Sequence, residues 1–310
     1  MTPDARRNRA LSTTLVLGAT GRVGRRVTDH LLAAGVRVRA LVRDPARVLA
    51  LPGGAELVRG DFADAASLAA ACAGIDRVCL ISPVEEDLAA QQGAAIAAAR
   101  RAGVRRMVKL SGSSWTMREG DMTATGAAHL ASEGLLRKSG MAFAIVRPNP
   151  FMQGSLDAAV LALAQSADAD HLPMARGTAR AGVIHIDDIA AVCAHALLAA
   201  DASNAVHEIT GPASLSGDDI AREASAVLGR TIRYRAIPVE VALERMRQQG
   251  ITGYALRHLR ENMERVAAGY ADVVTGEVAR LLGRPARSVR EFLVDTTLTV
   301  GTLVPAAAGP

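Results

Sequence analysis

The chain has 310 residues, 50% of them hydrophobic and 22% charged, enough apolar material for one large domain or two ordinary ones with a proper core. Its net charge of +5 is local: residues 1–60 hold eleven Arg against four acids, leaving 25 basic and 27 acidic residues in the other 250, a body at −2. That distribution, with only eight aromatic side chains, argues against a nucleic-acid partner and points the positive charge to a tail or to an anionic ligand in the N-terminal third.

No run approaches the ~18 apolar residues of a membrane span. The stretch LVLGATG behind Arg6, Arg7 and Arg9 is too short and glycine-broken for a signal sequence. A soluble, cytoplasmic protein with no membrane partner is expected. Three cysteines (Cys72, Cys79, Cys193) without a Cys-x-x-Cys pair suggest neither a disulfide framework nor a metal site, and read as buried thiols.

In chain order, a polar tail (1–12) precedes TTLVLGATGRVGRRVTDHLLAAGVRVRALVRD, which reads strand, glycine turn, amphipathic helix, strand. Short apolar runs then recur at helix-sized intervals: AELVRGD, DRVCLISP, RRMVKLSGSS, FAIVRP and, much later, HEITG. Alanine-rich helices are expected between them at Ala63–Ala73, Gln91–Ala102 and Ala124–Lys138. Strands apolar along their length and separated by helices predict an α/β fold with a doubly wound parallel sheet of Rossmann type. Beyond Pro148 the alternation loosens into a helix near Leu156–Gln165, a polar segment Ser166–Gly182, a strand-like GVIHI leading into DDIAAVCAHALLAA, and a largely helical last third. The expected organisation is a nucleotide-binding domain over 13–151 with 183–211 returning to it, a smaller, mostly helical substrate lobe from 152–182 and 212–300, and a second tail at 301–310.

Gly18, Gly21 and Gly24 follow a strand and open a helix, the context that gives a glycine pattern meaning. The first permits a tight turn, the second lets backbone approach a pyrophosphate, the third lets helix and strand pack closely, and Thr20, Arg22 and Val23 share the N–H groups that meet the negative charge. The alternative is that these glycines only shape a connection. At the end of the next strand an NAD site places an acid, whereas a 2′-phosphate asks for a guanidinium. Here Arg43 stands at that end and Arg22 in the glycine turn, favouring NADP(H). Asp44 keeps NAD(H) open if Arg43 points away, although Asp-Pro after a strand more often forms a turn or helix cap.

With VLGATGRVG, LVRDP, GDFAD, VKLSGSS, a His-x-x-x-Glu helix before SGMAFAIVRPNPFMQ, VIHIDDIAAV and LLGRPARSVREF, the sequence from about Thr13 to Phe292 resembles the NmrA-like group of atypical short-chain dehydrogenases/reductases. The resemblance implies NADP(H) or NAD(H) on the carboxyl edge of a Rossmann sheet. It places Asp61 and Phe62 beside the adenine, and Ile81, Ser82, Pro83 and Ser111 along the ribose and nicotinamide. Pro148, Asn149 and Phe151 are set at the nicotinamide pocket. Phe62 and Phe151 read equally as core aromatics, and Asp187 and Asp188 as helix caps.

In reductases of this fold, the helix before FAIVRP usually carries Tyr-x-x-x-Lys; here the spacing reads His129-x-x-x-Glu133. Two readings follow. In one, Glu133 stabilises a protonated His129, a general acid one helical turn away; in the other, His129 is a surface residue and Glu133 pairs with Arg137. Ser111 is a candidate hydrogen-bond donor to the acceptor oxygen, or a ribose contact. Hydride transfer itself needs placement and a dry pocket, so the missing acid narrows the acceptor to a small electrophilic, conjugated molecule such as a quinone or an enone. The alternative class is an NADP(H)-sensing regulator that acts through a protein partner. The pocket falls to Met152–Gly182 and Ile237–Tyr270, where Arg176, Tyr254, Arg257 and His258 either reach an acidic or phenolic ligand or form a solvated helix face.

Overall fold

The computed structural model describes residues 13–303 except 48–50, 52, 166–168 and 202. The tail expected at 1–12 and residues 304–310 of the second tail lie outside the described residues. The chain forms two compact units, Met1–Pro148 with Asp187–Glu208, and Asn149–Ile186 with Ile209–Pro310. No helix among the described residues is long and apolar enough to cross a membrane.

The first unit is built on β1 (Thr13–Leu17), β2 (Arg37–Val42), β3 (Glu56–Arg59), β4 (Arg77–Leu80) and β5 (Arg106–Leu110), then β8 (Ala142–Pro148) and β10 (Ala205–Ile209), in the order β10-β8-β5-β4-β1-β2-β3. A two-stranded hairpin, β6 (Met117–Arg118) and β7 (Asp121–Met122), stands apart from that sheet. Strands β1 to β5 and β8 pair in parallel. The order runs outward from β1 in both directions, so the topological switch lies between β1 and β4, where open α/β sheets bind their ligands. Leu15, Val16, Leu17, Val78, Cys79, Leu80, Met107, Val108, Ala144, Ile145 and Val146 are all at 0% exposure, as continuous apolar runs in a sheet covered on both faces must be.

Helix α1 (Arg22–Ala33) buries Val23, Val27 and Leu31, one stripe at i, i+4, i+8. Helix α2 (Ala65–Cys72) starts two residues later than expected because the Asp64 carboxylate accepts from Ala66 and Ser67 N–H and fixes the N-cap. Helix α3 (Leu88–Arg101) begins a turn early, at the buried Leu88. Helix α4 (Ala124–Arg137) is capped by Thr123 Oγ1, which accepts from Gly126 N–H at 2.8 Å. All three cysteines are buried thiols.

The second unit contains α5 (Met152–Ser155), α6 (Asp157–Gln165), β9 (His171–Met174), α8 (Gly217–Leu228), β11 (Arg233–Ala236), α9 (Val239–Gln248), α10 (Gly253–Ala267), α11 (Glu277–Leu282) and α12 (Val289–Leu303). Helix α7 (Ile186–Leu198) lies between β9 and β10 in the chain and belongs, from Asp187 on, to the first unit. Two expectations fail in the second unit. Inside the polar segment 166–182 lies β9, paired in parallel with β11 and anchored by buried Leu172 and Met174. GVIHI, in contrast, is not a strand: Gly182 N–H goes to Ala271, Ile184 N–H to Pro150 and Ile186 N–H to the Gln153 side chain. Three donors with three unrelated acceptors leave isolated bridges instead of a ladder.

Helix α8 opens on a capping box. Ser216 Oγ accepts from Asp219 N–H at 3.1 Å while the Asp219 carboxylate accepts from Ser216 N–H at 3.0 Å. These bonds from Ser216 hold the Asp219 carboxyl down to about 2. Replacing Ser216 by Ala is expected to cost about 1 kcal/mol, read as a lower denaturant midpoint with an unchanged slope.

Candidate active site

The turn after β1 has little steric freedom. Gly18 adopts φ +74°, and a Cβ there would sit 2.3 Å from the Ile81 carbonyl oxygen. A Cβ on Gly24 would meet the Gly18 carbonyl oxygen at 2.1 Å. Gly21 N–H closes the turn onto Gly18 O at 3.0 Å and Gly21 is the N-cap of α1, with no side-chain cap and no acid in the first helical turn. Thr20, Gly21 and Arg22 are exposed, while the Val23 side chain is buried in the helix–sheet interior. Orphan N–H groups at a helix start with an open, uncapped approach fit a pyrophosphate.

The other predicted cofactor contacts of this unit follow the carboxyl ends of successive strands: Arg43 after β2, Asp61 and Phe62 after β3, Ile81 to Pro83 after β4, Ser111 after β5, and Pro148 at the end of β8. Because the strands from β1 to β8 are parallel, those ends share one edge of the sheet. Arg43 is exposed and makes no hydrogen bond or ion pair among the described residues. Asp44 Oδ1 accepts from Ala46 N–H at 3.1 Å, a turn cap. Asp61 Oδ1 is similarly engaged by Ala63 N–H at 2.9 Å, and Phe62 is partly buried against the apolar core. In the second unit, Asn149 Nδ2 donates to the carbonyls of Gly182 and Ala271 at 3.1 and 2.9 Å, and Phe151 forms a bridge with Ile184. There too, Arg176 is buried, and the Arg257 guanidinium lies 5.4 Å over the Tyr254 ring. Burial lowers the pKa of His258.

Below that edge lies a cluster centred on a residue that sequence reasoning passed over. Lys109 of β5 is 0% exposed. Its Nζ donates to Ser111 Oγ at 3.0 Å and stands 3.1 Å from His129 Nδ1. Ser111 Oγ in turn donates to Glu133 Oε1 at 2.7 Å. Arg147 of β8 closes on the same carboxylate, Nε to Oε1 at 3.0 Å and Nη2 to Oε2 at 2.5 Å. His129 and Glu133 sit one turn apart on α4 and so share a face. The surface reading of His129 needs correction, whereas the expected Glu133–Arg137 pair is present. His129 is buried, at 7% exposure, and none of Glu133's hydrogen bonds goes to it. The main ion partner of Glu133 is Arg147, with Arg137 a looser contact at 3.7 Å.

Burial is the largest influence on the Lys109 ammonium and lowers its pKa to about 7; nearby Glu133 opposes this and Arg147 adds to it. Burial pushes the Glu133 carboxyl up, but the hydrogen bonds from Arg147 and Ser111 outweigh it and leave the pKa below the ordinary value. A second chain of polar contacts ties the β4 loop to α4: Gln92 Nε2 donates to Ser82 Oγ at 2.8 Å, and Ser132 Oγ to Gln92 Oε1 at 2.7 Å. The signal that could have found Lys109 and Arg147 was present in the sequence. Lys109 sits between apolar neighbours in RMVKL and Arg147 is the one charge in AFAIVRP, and a charge in a doubly covered strand must have partners.

An uncapped glycine turn at a switch point, with the cluster at the same sheet edge, defines a Rossmann-type nucleotide-binding protein. Residues 11–293 match the NmrA-like family, and the chain belongs to it. It is 32% identical to an NAD(P)H azoreductase of Xenophilus azovorans over 280 residues, covering 90% of this chain and 96% of that one. It is 33% identical to the (4-alkanoyl-5-oxo-2,5-dihydrofuran-3-yl)methyl phosphate reductase of Streptomyces griseus over 283 residues, 91% and 96% of the two chains. The fold superposes on the NADPH-dependent quinone oxidoreductase of Escherichia coli complexed with NADPH, with a TM-score of 0.79, 23% identity, and 91% and 99% coverage.

The Lys109 shift carries a sign. A lysine whose folded pKa lies below its unfolded value of ~10.4 carries its full penalty below the folded pKa and is relieved of it as pH rises from there towards the unfolded one. The window here is about pH 7 to ~10.4. Lys109→Met removes this dependence, so its stability relative to the parent should be higher at pH 6 than at pH 9 in urea titrations.

Proposed function

We propose that the protein is an NAD(P)H-dependent oxidoreductase, with NADPH preferred, that reduces a small electrophilic conjugated molecule such as a quinone or an enone. What carries the reading is the joint placement of the open glycine turn and the Lys109–Ser111–His129–Glu133 cluster at one sheet edge, in a chain 32 and 33% identical to two proteins named as reductases. The N–H groups of Gly18 to Gly24 would take the pyrophosphate. The guanidinium groups of Arg22 and Arg43 would take the 2′-phosphate. Asp61, Phe62, Ile81, Ser82, Pro83, Ser111, Pro148, Asn149 and Phe151 would border the remainder. Bound NADPH supplies the hydride.

The chain's own residues place the acceptor, exclude water and manage one proton. At the spacing where a tyrosine and a lysine usually stand, α4 offers His129 and a carboxylate already held by Arg147. Ser111 directs its hydroxyl hydrogen to Glu133, so it orients the cluster and is not itself the donor. His129 is therefore the group left to give a proton. An imidazole suits an acceptor whose conjugation spreads the developing charge better than it suits a plain ketone.

The test is the nicotinamide absorbance of NADPH mixed with protein and a panel of quinones and enones. It should fall steadily; firm NADPH binding with unchanged absorbance across the panel would instead support a dinucleotide sensor. Arg22→Ala and Arg43→Ala should each reduce the preference for NADPH over NADH by roughly 10- to 100-fold, the worth of a hydrogen bond to a charged group, measured as the ratio of the two dissociation constants by calorimetry.

A further inference from the structure

We propose that Lys109 is the proton source of the site, acting through His129: as the ring gives its Nε2 proton to the reduced acceptor, Lys109 passes one of its own to Nδ1. This rests on the reductase reading above and adds to it the residue that supplies the proton.

The geometry leads there step by step. An ammonium has three donors and no acceptor. With Nζ 3.1 Å from Nδ1, the ring nitrogen facing the ammonium accepts, and a neutral ring then carries its proton on Nε2. The ring packs against the loop after β5, where a Cβ on Gly112 would lie 2.9 Å from His129 Cδ2. Gly112 directly follows Ser111 at the carboxyl edge of the sheet. Lys109 itself is wholly enclosed, so any proton it gives must leave through a neighbour. Its two neighbours differ. Ser111 accepts from Lys109 and donates to Glu133, a direction that leads to a carboxylate already neutralised by Arg147. His129 offers the other exit.

The step balances. The N–H bonds at His129 Nε2 and Lys109 Nζ break, and bonds from hydrogen to the acceptor anion and to Nδ1 form. The acceptor loses its negative charge, the lysine becomes a neutral amine, and the imidazole remains neutral in its other tautomer. Solvent returns one proton along the same path. Glu133 of α4 and Arg147 of β8 face the lysine and pull its pKa in opposite directions; locked to each other, they leave it able to cycle near neutrality.

Two acceptors separate this relay from a structural role. An enone needs a hydride and a proton, whereas a cationic triarylmethane dye is discharged by the hydride alone. Lys109→Met should lower the ratio of enone to dye turnover by about 100-fold or more, the usual worth of a positioned acid, and His129→Gln should lower the same ratio. In the unsubstituted protein, enone turnover should fall as pH rises through about 7 while dye turnover does not, and the enone rate in H2O/D2O mixtures should show two protons in flight. A fall of both acceptors together in the variants, with a linear proton inventory in the parent, overturns the relay. So does an unchanged ratio. The isotope measurement needs no variant, so it decides the matter even if Lys109→Met does not fold. Failure of the unsubstituted protein to reduce either acceptor would instead remove the reductase reading itself.

Discussion

The central constraint on the first unit is an ammonium ion placed inside a sheet that is covered on both faces. Water cannot reach Lys109, and an isolated charge in that position would be expelled or neutralised. Ser111, two residues on and just past the end of β5, supplies one oxygen. His129, from α4, supplies a nitrogen. Glu133, one turn further along that helix, supplies a compensating charge without a direct bond, and is itself fixed by Arg147. Buried polar networks of this kind are costly when half satisfied and rigid when complete. This one fixes the rotamers of its members before any ligand arrives, which is how a site keeps its geometry through a reaction cycle.

The glycine turn is governed by a different constraint, contact between backbone and backbone. Gly18 and Gly24 are enforced by the carbonyl oxygens of Ile81 and of Gly18 itself, atoms of the main chain that cannot rotate away. The effect is to bring the N-terminus of α1 close to the end of β4. The two halves of the site thus rest on separate physical grounds, steric for the nucleotide end and electrostatic for the reacting end.

How much of this could be read from the sequence follows from the range of each interaction. GATGRVG was legible because strand, turn and helix lie within about a dozen residues and carry their own reasons. Apolar runs announced the sheet, whose order then followed the usual rule. Asp44 was legible as a turn residue from its proline neighbour. Of the reacting cluster, Ser111, His129 and Glu133 were legible as candidates but Lys109 and Arg147 were not, since the members come from separate elements and spacing says nothing about which of them meet. Whether His129 was a general acid or a surface residue stayed open because an alanine-rich helix shows no strong polar face. GVIHI looked like a strand because apolarity reports burial, while its hydrogen bonds scatter over Ala271, Pro150 and Gln153. Strand β9 was hidden for the opposite reason, a proline and exposed polar neighbours around only two buried side chains.

The seventh strand, at the end of the sheet beside β8, is Ala205–Ile209, reached only after the chain has laid down Asn149–Ile186 of the other unit. A nascent polypeptide emerging from the ribosome therefore cannot complete its nucleotide-binding half when residue 148 appears. It must wait until Ile209 has been made, with the sheet edge at β8 uncovered in the interval. A cut after residue 148 would part the seventh strand from the six it joins.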